Sequence, residues 1–195
     1  MDALKAFLPE KSFPKIKQWI NELDVQLKIT NPRKTKLGDF KGVKDALYIS
    51  INNNLNPYSF LITLTHELAH AFVYVKYKRG VDPHGKQWQD TFKAMMLSFL
   101  NPEIFPEDIL KVLSLHLKNP KASTLTDVNL SAVLKKYDKV QILTISDIDE
   151  EILFSIANGK IFKKGEKLRK RYKCVEVSTN KVYLFHPLAE VNLIQ

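Results

Sequence analysis

The chain has 195 residues, 45% of them apolar and 26% charged, which supports a folded core and excludes a largely disordered chain. A single cysteine, Cys174, excludes an internal disulfide framework and fits a reducing, cytoplasmic setting. The net charge of +9 is uneven: residues 1–100 and 156–195 each carry an excess of six basic side chains and residues 101–155 an excess of three acidic ones, a distribution that suits a polyanionic partner or a solvated lysine face equally well.

The opening residues lack the basic start and apolar run of a signal peptide. Ser12-Phe13-Pro14, followed by Ile16, Trp19, Ile20 and Leu23 at helical spacing, predicts an amphipathic first helix. Val25, Leu27 and Ile29 alternate, as do Leu47, Ile49 and Ile51, which predicts two strands of a small sheet with Asn31-Pro32 and Gly38-Asp39 as punctuation between them. Asn56-Pro57 is a helix entry, and the helix is expected to run to about Tyr77 and stop near Gly80. Its apolar stretch is too short for a comfortable membrane span and contains His66, Glu67 and His70, so no membrane partner is expected. A further helix from about Gly85 carries Trp88, Phe92, Met95, Met96 and Phe99 on one face.

Helices follow at about 107–117 and 127–137. From residue 140 the pattern changes to short β-rich runs at 141–145, 152–156, 171–177 and 182–185, with Thr179-Asn180 as a hairpin tip. The expected organisation is therefore an α+β core over residues 1–105, a helical connector over 106–139 and a basic β-rich module over 140–195.

Chemistry concentrates in Thr65-His66-Glu67-Leu68-Ala69-His70, an H-E-x-x-H sequence within the long helix. Four residues of helix advance about 6 Å and 400°, so His66 and His70 project from one side and can meet one ion. Glu67 lies on the same side and can reach a water beside that ion without occupying a ligand position, as a general base must. Leu61, Leu64, Leu68, Ala71, Phe72 and Val75 form an apolar stripe on the opposite side, which predicts a core-facing stripe away from the histidines.

A catalytic zinc site takes three protein ligands and leaves one position open. The extended H-E-x-x-H-x-x-G-x-x-H pattern is absent, because Val73 and Lys76 stand where glycine and the third histidine would be. Asp90 is the sole acidic residue of the next helix, and His84 of Pro83-His84-Gly85 is the better third ligand. The segment 78–84 is long enough to climb back from the helix end, and Gly85 would allow a tight turn beside the metal.

His66-Glu67-Leu68-Ala69-His70 followed by His84-Gly85-Lys86-Gln87-Trp88 resembles the SprT-like family of zinc metallopeptidases, which includes the Spartan-type DNA-protein crosslink proteases. A weaker likeness through residues 33–38 and 47–51 extends the resemblance over roughly residues 10–100. The resemblance implies a zincin-like α+β core with a small sheet packed on the H-E-x-x-H helix. It also implies one catalytic zinc ion held by His66, His70 and His84, a water-activating Glu67, protein or peptide substrates, and association with DNA. Many members carry a C-terminal zinc ribbon; with Cys174 alone, the module at 140–195 can at most be ribbon-like without zinc.

Lys163, Lys164, Lys167, Arg169, Lys170, Arg171 and Tyr172 form a basic run with an aromatic, suited to phosphates and a stacked base or else to the solvated face of a hairpin. A second function therefore stays open beside peptide hydrolysis, that of a nucleic-acid-binding or adaptor protein with a zinc site and little proteolysis. Tyr74 and Tyr77 are near enough in sequence to assist at an oxyanion.

Overall fold

The computed structural model describes residues 2–33, 35–44, 46–78, 80–121 and 126–194. Lys34, in the stretch of weaker family likeness, and Arg79, in the segment expected to climb back to His84, lie outside them. The chain divides into two compact units, residues 1–139 and 140–195.

The first unit opens with α1 (Asp2–Lys5), a single 3-10 turn, and α2 (Phe13–Leu23). Ile16, Trp19 and Ile20 are buried on the face their spacing predicts, and Asp24 ends α2 in the left-handed conformation at φ 51° that Asp tolerates. The chain then enters β1 (Val25–Thr30), which runs parallel to β3 (Ala46–Asn52), while β2 (Gly38–Val43) is antiparallel to β3. The order β1-β3-β2 leaves β2 at an edge.

That edge strand occupies a stretch whose glycines read as punctuation in the sequence. The glycines are there for contact with the next helix, α3 (Pro57–Tyr77). A Cβ on Gly38 would stand 2.8 Å from Glu67 Oε1 and Thr63 Cγ2, and one on Gly42 would stand 2.6 Å from the Tyr74 ring. Only bare backbone can lie this close.

α3 begins as expected: the Asn56 side chain accepts from the Tyr58 and Ser59 N–H groups, and Pro57 fills the first helical position. Leu61, Leu64, Leu68 and Ala71 of the expected stripe face the core, but burial is not confined to that side. Residues Phe60 to Ala69 are all buried, His66 and Glu67 included, whereas Val75 is exposed. Strands cover one side of the helix and α4 (Lys86–Leu97) another, so no side of its middle faces bulk water.

α4 contributes Trp88, Phe92, Met95 and Met96 to the core. α5 (Glu107–His116) and α6 (Val128–Lys135) add Ile109, Leu113, Leu130 and Leu134 to that same core, each such burial being worth roughly 1.5–3 kcal/mol. They also hold the start of α3. The Asn56 amide donates to the Leu134 carbonyl and to Asp138, and the Tyr137 hydroxyl donates to Asp108.

The second unit is a five-stranded antiparallel sheet, β4 (Leu153–Ser155), β5 (Ile161–Lys167), β6 (Tyr172–Glu176), β7 (Val182–Phe185) and β8 (Asn192–Leu193), in the order β7-β6-β5-β4-β8. Its own core is Ile145, Ile148, Phe154, Phe162, Tyr172, Cys174 and Val191. The strand expected at 141–145 is reduced to one bridge, Thr144 to Glu190, and a 3-10 turn from Ile145 that Thr144 and Asp147 close with a capping box. The fold is α+β, with a β-rich C-terminal module.

Candidate metal centre

Two elements deliver three imidazoles to one point. His66 and His70, one turn apart on α3, have Nε2 atoms 3.2 Å from each other, and His84 Nε2 lies 3.1 Å from that of His70 and 3.2 Å from that of His66. His84 sits in a turn closed by the Gly85 N–H donating to the Asp82 carbonyl at 3.0 Å, with Pro83 at the second position where its fixed φ is favourable. Gln89 then donates to the His84 carbonyl. Gly85 itself has φ −70°, an ordinary backbone angle; its missing Cβ instead spares a 3.1 Å approach to Asp82 Cβ.

These three nitrogens could hold a metal ion. Three imidazoles at 2.0–2.1 Å around a tetrahedral ion stand about 3.3 Å apart, close to the spacing found. The protonation state fits as well. Burial first, then the mutual repulsion of the rings, lowers His66 to about 2; burial and His84 lower His70 to about 4, and burial lowers His84. The rings are neutral at pH 7, with lone pairs to offer a cation.

Trp88 forms the floor beneath them, its ring centroid 4.5 Å from His66, 5.3 Å from His70 and 4.8 Å from His84, and its Nε1 donates to the His66 carbonyl. Phe92 stacks beneath Trp88 at 5.1 Å. Phe40 of β2 lies parallel to the His70 ring. These aromatics fix ring orientation by packing.

Glu67 shares with the histidines a cavity of about 510 Å³. Its side chain is buried, and desolvation, aided by Asp39, pushes its carboxyl up to about 8 against the pull of Arg33, Lys36 and the Phe40 N–H. Arg33 is anchored by bonds to Asn52 Oδ1, Ser50 Oγ and the Ser50 carbonyl, and the Asn52 amide donates to the Arg33 and Lys36 carbonyls. The residues before β2 are thus tied to β3 beside Glu67.

Tyr74 lines the cavity, whereas Tyr77 does not. Asp90 is exposed and pairs with Lys86 at 3.1 Å. Sequence reasoning missed Phe40 and Gly38 because it missed β2; the weak likeness over residues 33–38 was the one signal pointing there.

Within the second unit, the basic run separates. Lys164 is buried at 4% exposure, its ammonium donates to the Ile148 carbonyl, and it lies 4.3 Å from the centroid of the buried Tyr172 ring. These two belong to the module's core and are withdrawn from any nucleic-acid surface. Lys163, paired with Glu151 at 2.8 Å, and Lys167, Arg169, Lys170 and Arg171 stay exposed around the β5–β6 turn. The period of the strand explains the split, since Phe162 and Lys164 share one face of β5.

No helix among the described residues is long and apolar enough to cross a membrane. No curated protein and no solved structure matches the chain. The model of the SprT-like family matches residues 13–106, a span that runs from the start of α2 to the residue before α5 and holds all three histidines, Glu67 and Trp88. Over residues 13–106, just under half of its length, the chain is similar to the SprT-like family.

Proposed function

We propose that the first unit is a zinc-dependent metallopeptidase. The observation that carries this reading is the meeting of three neutral imidazole nitrogens with a buried carboxylate in one cavity. His66, His70 and His84 would hold one zinc ion, a donor set that leaves a position open for chemistry. When bound, zinc supplies a Lewis acid that acidifies a water and polarises the scissile carbonyl.

Glu67 takes a proton from the attacking water as the water oxygen bonds to the carbonyl carbon. As the C–N bond breaks, Glu67 hands that proton to the leaving nitrogen and is again a carboxylate. Its burial strengthens it as a base, and a cation held by the imidazoles would offset part of that rise and favour the ionised form. Tyr74, facing the same cavity, is the candidate partner for the oxyanion. The β2 edge supplies Gly38, Asp39 and Phe40 to the cavity wall, so an extended polypeptide added to that edge would pass the histidines.

Denatured protein incubated with the wild type should yield fragments that a chelator suppresses and Glu67→Gln does not produce, although Glu67→Gln keeps about one zinc per chain. Cleavage that survives in Glu67→Gln removes Glu67 from this role. Zinc binding with no cleavage of any polypeptide favours the adaptor reading.

We further propose that the substrates are DNA-associated, supported by the exposed cations Lys167, Arg169, Lys170 and Arg171 on one turn of the second unit. Binding to a short DNA duplex should weaken with salt. Replacing Arg169, Lys170 and Arg171 with Gln should lower both affinity and salt slope, and unchanged binding would clear the turn of this role.

A further inference from the structure

We infer that Lys78 selects a substrate carboxylate beside the scissile bond, an inference that rests on the peptidase reading and names a substrate class for it. Lys78 caps the C-terminus of α3 and lines the same cavity as Glu67 and the histidines. Lys36, the other lysine of that lining, is neutralised by Asp39 at 2.8 Å. Among the described residues Lys78 has no such partner, neither an ion pair nor a side-chain hydrogen bond. The cavity's uncompensated cation is therefore Lys78.

Its backbone adds a second observation. Lys78 has φ 59° and ψ −65°, with its N–H donating to the Tyr74 carbonyl at 2.8 Å. Positive φ is uncommon for a residue with a Cβ, and glycine would serve the turn at no strain, so this turn carries a lysine side chain at a backbone cost. Gly80, with φ 86° and open space around it, shows that the same turn accommodates glycine two residues on.

Lys76 gives the contrast: it lies on the same last turn of α3, outside the cavity, with its ammonium over the Tyr77 ring. A cation that shares the cavity lining with Val73, Tyr74 and Val81 favours a side chain ending in a carboxylate, namely Asp or Glu of the substrate. A free C-terminal carboxylate would present the same chemistry.

The test measures binding in the Glu67→Gln background, where no probe is consumed. The probes are a fluorescein-labelled short Ala/Ser peptide with blocked ends and one central Glu, its central Gln analogue, and the Gln analogue with a free C-terminus. The Glu peptide should bind about 1.5- to 5-fold more tightly than the blocked Gln peptide, the range for an exposed ion pair. That preference should vanish in Lys78→Gln, reverse in Lys78→Glu and persist in Lys76→Gln, with zinc content unchanged in all three. Preference for the free C-terminus instead assigns the carboxylate to a chain end.

Equal binding of all peptides, no binding of any, or a preference that survives Lys78→Gln overturns the inference. So does single-stranded DNA binding that Lys78→Gln removes in the absence of a peptide preference, which would assign Lys78 to phosphate. Cleavage of the Gln peptide by the wild type is scored separately. If that cleavage fails while the Glu preference holds, the peptidase reading falls and the recognition stands.

Discussion

Glu67 of the first unit and Glu176 of the second are both buried, at 8% and 2% exposure, yet the two units treat them in opposite ways. Glu176 accepts from Lys160 at 2.7 Å, Thr179 at 2.6 Å and Tyr183 at 3.1 Å, and these bonds, Lys160 first, hold its carboxyl down to about 2. Glu67 has a backbone N–H and more distant cations, and desolvation pushes it up to about 8. A carboxylate ringed by donors is a fixed charge that ties a hairpin together. One left short of donors beside an open cavity is a group that exchanges protons.

The sharpest way to break this comparison is to remove the feature that gives Glu67 its setting. His66→Ala should lower zinc from about one per chain to near zero and abolish cleavage, measured by metal analysis of the purified protein. Glu67→Gln should keep the zinc and lower the cleavage rate by about 10²–10⁴-fold, the span for loss of a general base. Gly38→Ala forces a Cβ against the Glu67 carboxylate and should cost on the order of 10²-fold in kcat with zinc retained. Full activity in Gly38→Ala would show that the close approach of β2 does not set the position of Glu67.

The smaller effects lie in stability. Glu176→Gln should lower the melting temperature of the second unit while leaving zinc content untouched. The two glutamates should also give opposite pH dependences. Glu176 is depressed from 4.5, so its contribution is present above that value and is lost as pH falls toward about 2. Glu67 in the metal-free protein is raised, so the folded chain binds the extra proton between pH 4.5 and about 8, and its contribution to stability declines as pH rises through that window. Denaturant titrations of the metal-free protein across pH 4–9 should lose the upper slope in Glu67→Gln and keep it in Glu176→Gln.

Much of the candidate site could be read from residue order because it is built on a helix. The H-E-x-x-H spacing, the Asn56-Pro57 entry and the His84-Gly85-Lys86-Gln87-Trp88 element each encode local geometry. The edge strand could not be read this way. Gly38, Asp39, Lys41 and Gly42 have no apolar alternation, and they form a strand because β3 pairs with them and because α3 needs bare backbone at its surface. Burial of α3 spreads beyond its apolar stripe for a related reason. A helix covered by a sheet on one side and Trp88 on another is buried around its whole middle, whatever its polar residues. Lys164 repeats the lesson in the second unit, since its place in the core follows from sharing a face with Phe162 and pairing opposite Cys174.

The cap of α3 ties the site to a distant part of the chain. Asn56 orders the first turn of the helix that carries His66 and His70, and its amide is satisfied by Asp138, 82 residues later. At about 5–20 residues per second of synthesis, the helix waits roughly 4–16 s for that partner to be made. A nascent chain therefore carries both helix histidines, Glu67 and His84 well before the clamp that holds their helix exists. The order of translation leaves the start of that helix unfastened until the first unit has been synthesised to Asp138.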